Sequence, residues 1–207
     1  MGIKAVAFDY GGVISFFQTE EAVKDMADLA GIDVDLMKRI YWDNRPIYDQ
    51  GLVGGKEYFK NILADVGVFA DSELLEKLLE RDIESWSHVN PKTEQLMKEL
   101  KQSGFKVAIL SNIVQDFLDQ LKKTLPVFDL PDAAVYSCEA GTVKPEEKIY
   151  RLLLSRLDCK AEELVFFDDK EANVEAARAL GIQAFLWKGP EDARKDMEVL
   201  GAGRFGQ

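Results

Sequence analysis

The 207-residue chain has one histidine, His88, and two cysteines, Cys138 and Cys159, which stand apart in unrelated contexts. A Cys/His metal site or a disulfide framework needs several such residues at short spacing, so the sequence offers neither. Both thiols read as free, buried or partly buried, in a reducing compartment. Positive charge is also scarce. The 26 Lys and Arg residues face 37 Asp and Glu, a net charge of −11, which would repel a nucleic-acid backbone or an anionic lipid surface. No apolar run approaches the roughly 18 residues of a membrane span, and the first residues lack the charged and apolar pattern of a signal peptide. We expect a cytoplasmic protein with no nucleic-acid or membrane partner.

What is present is enough apolar sequence for a core, 47% of residues. Short β-branched or aromatic runs predict strands at Ile3 to Phe8, Lys106 to Leu110, Ala133 to Tyr136, Leu164 to Phe167 and Gln183 to Leu186. Helical stripes separate the later ones. Val114, Leu118, Leu121 and Leu125 form one; Asn173, Ala176, Ala177 and Leu180 form another, ended by Gly181. Strands alternating with helices predict an α/β fold, a doubly wound parallel sheet.

The interval before Lys106 is too long for one crossover helix. Its pattern is helical: Ala22, Met26, Leu29 and Ala30 stop at Gly31, and Leu75, Leu78, Leu79 and Ile83 follow a candidate cap, Ser72. Residues 15–88 therefore read as an inserted α-helical cap, closed by Asn90-Pro91, with 1–14 and 89–207 forming the core. Such an insertion lies over the carboxyl edge of the sheet, where a lid belongs. Gly54, Gly55 and Lys56 suggest a phosphate loop, but Glu57 replaces the hydroxyl residue and no strand precedes them, so a turn between cap helices is the better reading. The tail from Gly201 to Gln207 reads as frayed.

Open α/β sheets carry their chemistry at the carboxyl ends of the strands. The first strand ends on Asp9, followed by Tyr10, Gly11 and Gly12. The second ends on Ser111 and Asn112, where a hydroxyl and backbone N–H groups ahead of a helix form an anion site. The third leads through Gly141, Thr142 and Val143 to Lys144, a mobile cation held in place by Pro145 at a helix start. The fourth delivers Asp168 and Asp169. Converging carboxylates repel unless a cation sits among them, and oxygen ligands without histidine or cysteine favour magnesium. A phosphate ester bound between Lys144 and Ser111 would lie within reach of Asp9, which could attack phosphorus and form an aspartyl-phosphate.

These residues, in order, resemble the four motifs of the haloacid dehalogenase-like hydrolases. They are Phe8-Asp9-Tyr10-Gly11-Gly12-Val13-Ile14, Ser111-Asn112, Gly141 to Pro145, and Asp168-Asp169 with Asn173 and Ala176-Ala177. The resemblance spans the chain and includes a helical cap of the type inserted after the first motif. It implies a Rossmann-like core and a magnesium-dependent phosphatase acting on a small phosphorylated metabolite, a sugar phosphate among the options. Asp9 would be the nucleophile, Ser111 and Lys144 the phosphate ligands, Asp169 the principal metal ligand of the fourth motif, and Asp168 an auxiliary one. The departure is Gly11, where most phosphatases of this family carry a second aspartate that protonates the leaving group and activates water. Glycine keeps a backbone carbonyl for magnesium but cannot move a proton. Because general acid–base help is worth roughly 10² to 10⁴, an aryl phosphate should suffer less from this loss than an alkyl phosphate.

Two other functions fit the same motifs. One is a phosphate-binding or regulatory protein with negligible turnover, which only Gly11 supports. The other breaks a different bond. Haloacid dehalogenation would not need the metal pair, and phosphonate cleavage would need a cap lysine, for which Lys24, Lys38, Lys56 and Lys60 are available. His88 is a candidate replacement proton carrier against a plain hinge role, and Tyr10 reads as core. Tyr41, Trp42 and Arg45 could read the substrate's other half, or simply pack the cap.

Overall fold

The protein is described here as a computed structural model covering residues 2–201; the remaining tail, expected to fray, lies outside the described residues. Five strands form one sheet: β1 (Ala5–Phe8), β2 (Lys106–Ser111), β3 (Ala133–Tyr136), β4 (Leu164–Asp168) and β5 (Gln183–Leu186). All pairings are parallel, in the order β3-β2-β1-β4-β5. The α/β class and the strand positions agree with the sequence pattern.

The strands are buried on both faces, as parallel sheets covered by helices must be. Along β1, Ala5 and Ala7 join one apolar cluster and Val6 and Phe8 the other. This is the alternation of a strand sandwiched between two layers.

Six helices lie between β1 and β2. The cap comprises α1 (Glu20–Ala30), α2 (Val34–Asp43), α3 (Arg45–Asp49), α4 (Gly55–Ala64) and α5 (Ser72–Ser85); α6 (Pro91–Gln102) then returns to the sheet. Thereafter come α7 (Gln115–Thr124), the short α8 (Ser137–Ala140), α9 (Glu147–Leu157), α10 (Glu171–Ala179) and α11 (Pro190–Val199). Helices α9 and α10 cover one face of the sheet, and α6, α7 and α11 the other.

Local chemistry sets the boundaries. Gly31 ends α1 at φ 67°, a left-handed position that suits glycine. The start of α5 differs from expectation: Asp71, not Ser72, is the cap, its carboxylate accepting from Leu74 N–H, and Ser72 is the first helical residue. Both residue types cap well, so the apolar stripe alone could not choose between them. Asn90 caps α6 ahead of Pro91, its side chain accepting from Lys92 N–H.

The two chain crossings into the cap are tied together. Ser15 and Val89 form an antiparallel bridge, Phe16 N–H donates to His88 C=O and Asn90 N–H to Ile14 C=O, both at 2.8 Å. Further out, Asp116 of α7 accepts from Gly55 N–H at 2.6 Å and Ser137 Oγ donates to Asp49 C=O at 2.5 Å. Cap residues Met37, Tyr58 and Leu78 share one apolar cluster with Phe117 and Leu118 of the core. The cap is thereby packed down over the carboxyl edge of the sheet.

Candidate active site

The chain turns back beside β1 after β3, so β1 and β4 meet at the point where the strand order reverses. Phe8 pairs with Phe167, and Asp9 N–H donates to Phe167 C=O at 3.0 Å. The next residues, Asp9 and Asp168, therefore leave neighbouring strands side by side. That placement at a topological switch point is where such sheets bind ligands.

Two buried carboxylates this close need a cation between them. Lys144 Nζ supplies it, 2.9 Å from Asp9 Oδ1 and 2.6 Å from Asp168 Oδ2. Asp168 is fully committed: its Oδ1 accepts from Lys170 N–H and from Asn173 Nδ2, each at 2.9 Å. Asp9 also accepts from Tyr10 N–H at 2.6 Å. Burial is the largest influence on Asp9 and pushes its carboxyl up to about 7; Lys144 pulls it down, while Asp168 and Asp169 add repulsion. Burial and Asp168 likewise raise Asp169. Carboxylate oxygens of Asp9, Asp168 and Asp169 lie within 4.8 Å of one another, a hard-oxygen set that suits a divalent ion such as magnesium.

Lys144 is held in place, as expected, but by more than Pro145. It is buried, and Asn112 grips its backbone from both sides: Lys144 N–H donates to Asn112 Oδ1 at 2.8 Å and Asn112 Nδ2 donates to Lys144 C=O at 3.0 Å. The Asn112 amide thus acts as a strut for the lysine loop. Pro145, whose bond to Lys144 is cis, precedes the helix instead of opening it: α9 begins at Glu147. Similarly, α7 starts at Gln115 and not directly after Asn112. Ser111 is buried at the end of β2 and lines the same cleft as Asp9, Asn112, Lys144 and Asp169.

Gly11 lines this cleft too, and the space for a side chain there is tight. A Cβ at position 11 would meet Trp86 Cζ3 at 3.1 Å. Its φ of −69° and ψ of 123° suit any L-residue, so the obstacle is the indole and not the backbone. Gly12 is different, at φ 75° with Phe17 pressed against it: a Cβ there would lie 2.5 Å from the Phe17 ring. Trp86 is itself anchored, its C=O accepting from Tyr10 OH at 2.8 Å and its Nε1 donating to Tyr41 OH at 3.3 Å. Tyr10 is core, packed on Phe128 with ring centroids 5.1 Å apart. His88 is exposed among Thr19, Asp25 and Arg81, outside the cleft, so it has no place in proton transfer there.

On the cap side, Trp42, Arg45 and Asp49 face the cleft with Trp86, Phe17 and core residue Phe117. Arg45 Nε donates to Asp49 Oδ1 at 2.8 Å, and its Nη1 donates to Tyr41 OH. Tyr41 OH in turn donates to the fully buried Asp82 at 2.7 Å. Burial drives Asp82 up to about 6 despite the opposing pull of Arg45 and Tyr41. Of the expected trio, Tyr41 is therefore packing, while Trp42 and Arg45 also line the cleft. None of Lys24, Lys38, Lys56 and Lys60 lines it, and the first three pair with Asp28, Glu20 and Glu76 on the surface. Trp86 extends the stripe of α5 three residues past Ile83 and was legible as apolar, but its position over Gly11 was not. Nothing in the pattern marked Asp49 or Phe17.

A strand-end aspartate, a buried lysine on a second loop and an acidic pair on a third, beneath a helical cap, define a class of hydrolase. The chain belongs to the haloacid dehalogenase-like hydrolase family, whose pattern it matches over residues 3–181. It is 26% identical to the phosphatase MT3486 of Mycobacterium tuberculosis over 98% of this chain and 97% of that protein. It is also 26% identical to the sesquiterpene phosphatase astK of Aspergillus oryzae, covering 86% of this chain and 87% of that one. Among solved structures, the fold is similar to the HAD family enzyme bt-2542 of Bacteroides thetaiotaomicron, crystallised with magnesium and inorganic phosphate. That match has a TM-score of 0.74 at 21% identity and covers 91% of this chain and 96% of the other. No helix among the described residues is long and apolar enough to cross a membrane.

Proposed function

We propose that the protein is a magnesium-dependent phosphatase for a small phosphorylated metabolite, working through an aspartyl-phosphate on Asp9. The observation that carries this reading is Lys144 bridging Asp9 and Asp168 in the same cleft as Ser111 and Asp169. Asp9, the Gly11 carbonyl and Asp169 would hold magnesium, with Asp168 behind them. The ion would supply positive charge for the phosphoryl oxygens.

Asp9 attacks phosphorus, the bond to the leaving oxygen breaks, and the phosphoryl group is carried on the carboxylate until water releases it. Ser111 and Lys144 hold the non-bridging oxygens. The strut from Asn112 keeps Lys144 in place, and Asn173 and Lys170 N–H keep Asp168 turned toward it. Position 11 offers no proton to the leaving oxygen.

The two relatives named phosphatases and the phosphate-bound structural neighbour support this reading. The test is a magnesium-dependent assay with p-nitrophenyl phosphate. Wild-type protein should turn over and Asp9→Asn should not; equal rates would reject Asp9 as nucleophile.

A further inference from the structure

We infer that the cleft accepts the phosphate ester of a flat, largely apolar alcohol without a second anionic group, an aryl alcohol and not a sugar; this rests on the phosphatase reading. Phe17 and Trp42 are 55% and 44% exposed, yet both turn ring surface into the cleft beside Trp86 and Phe117. Exposed aromatic surface gathered in a concavity marks an apolar ligand. The rings meet at steep angles: Trp42 and Trp86 at 86° with centroids 6.4 Å apart, Phe17 and Trp86 at 59° and 6.5 Å. They make a corner with faces for a planar group at the cleft's open side.

The polar groups opposite Asp9 are mostly spent on each other. Arg45 donates to Asp49 and Tyr41, lies 3.8 Å from Asp82, and is flanked by the rings of Tyr41, Tyr48 and Phe117 at 5.0 to 5.2 Å. A sugar would bring several hydroxyls to a wall with few free partners, and each buried hydroxyl left unpaired is costly. On the cap wall the Arg45 guanidinium is already answered by Asp49 and by the buried Asp82 behind it, so that wall offers no spare cation to a second anion; Lys170 lies on the core side, beside Asp169. Asp49 can still accept from one donor on the ligand.

The chemistry at position 11 selects in the same direction. With no acid at Gly11, the leaving oxygen departs as an anion. A phenol-like oxygen, with a pKa of about 10, does so far more readily than an alkoxide, whose conjugate acid is much weaker.

The experiment compares kcat/KM for 1-naphthyl phosphate, glucose 6-phosphate and 4-carboxyphenyl phosphate with magnesium, in wild type and Trp42→Ala. In parallel, calorimetry compares binding of phenylphosphonate and methylphosphonate, which read the cleft without turnover. The naphthyl ester should lead by at least about tenfold, and Trp42→Ala should lower its rate about tenfold while weakening phenylphosphonate selectively. Glucose 6-phosphate as good as the naphthyl ester, a gain from the carboxylate, or an unchanged preference in Trp42→Ala would overturn the inference. No turnover of any ester, with the binding preference intact and lost in Trp42→Ala, would instead reject the phosphatase reading and leave the apolar preference standing.

Discussion

The Trp86 indole occupies the space into which a side chain at Gly11 would grow, with Cζ3 3.1 Å from the position of its Cβ. The indole cannot retreat freely, since its backbone carbonyl and Nε1 are bonded to Tyr10 and Tyr41. Restoring an aspartate at position 11 therefore does not restore a proton carrier by itself. Gly11→Asp should cost about 1–3 kcal/mol through overpacking, lowering Tm by several degrees and shifting tryptophan emission. Its alkyl-phosphatase rate should stay within about threefold of wild type, whereas Gly11→Asp with Trp86→Ala should gain at least about tenfold over Trp86→Ala alone. A large gain in the single variant would show that the indole is no obstacle.

Lys144 is the only side-chain cation bonded to both Asp9 and Asp168 among the described residues. Lys144→Met leaves two buried carboxylates facing each other, a loss of about 3–5 kcal/mol, and abolishes turnover. Without the ammonium, which pulls the Asp9 carboxyl down against its burial, Asp9 holds its proton to higher pH, so the folded state binds more protons than the unfolded chain. Stability must then fall as pH rises. Thermal melts should show a larger deficit for the variant at pH 8 than at pH 5; a deficit independent of pH would mean that the lysine does not balance these charges.

Asp82 provides a pH signature away from the acidic cluster. Burial raises it to about 6, above the value of about 4 in an unfolded chain. Between those values the native state binds the extra proton, so its contribution favours folding at pH 4 and is lost as pH climbs through 6. The change amounts to at most about 3 kcal/mol for two pKa units. In chelator, Asp82→Asn should flatten the fall of Tm between pH 4 and 6, leaving the share due to Asp9. An unaltered slope would assign the effect elsewhere.

Much of the scaffold was legible because its signals are local. Ala133–Tyr136 and Gln183–Leu186 are strands where the β-branched and aromatic runs ended, and the long helical interval before Lys106 is the cap. Asp9, Ser111, Lys144 and Asp169 could be expected together because parallel topology brings strand ends to one edge. What stayed hidden depends on contacts between distant segments. That Lys144 is held by Asn112 as well as Pro145 has no sequence signature, because Asn112 lies 32 residues away. Gly11 reads from sequence as a missing acid that keeps a carbonyl for the metal; that its side-chain space faces Trp86 does not, because the indole reaches it from the far end of the cap. Asp49 was invisible for the same reason: its place is set by Ser137 holding its carbonyl and Arg45 holding its carboxylate.

The central claim is that Asp9 takes the phosphoryl group. Rapid acid quench during turnover of an aryl phosphate, followed by borohydride reduction and peptide mass spectrometry, tests it most directly. An aspartyl-phosphate at Asp9 is reduced to homoserine, and the account predicts that conversion at Asp9 alone, only with both magnesium and substrate. Turnover without conversion, or conversion at Asp168 or Asp169, would contradict it.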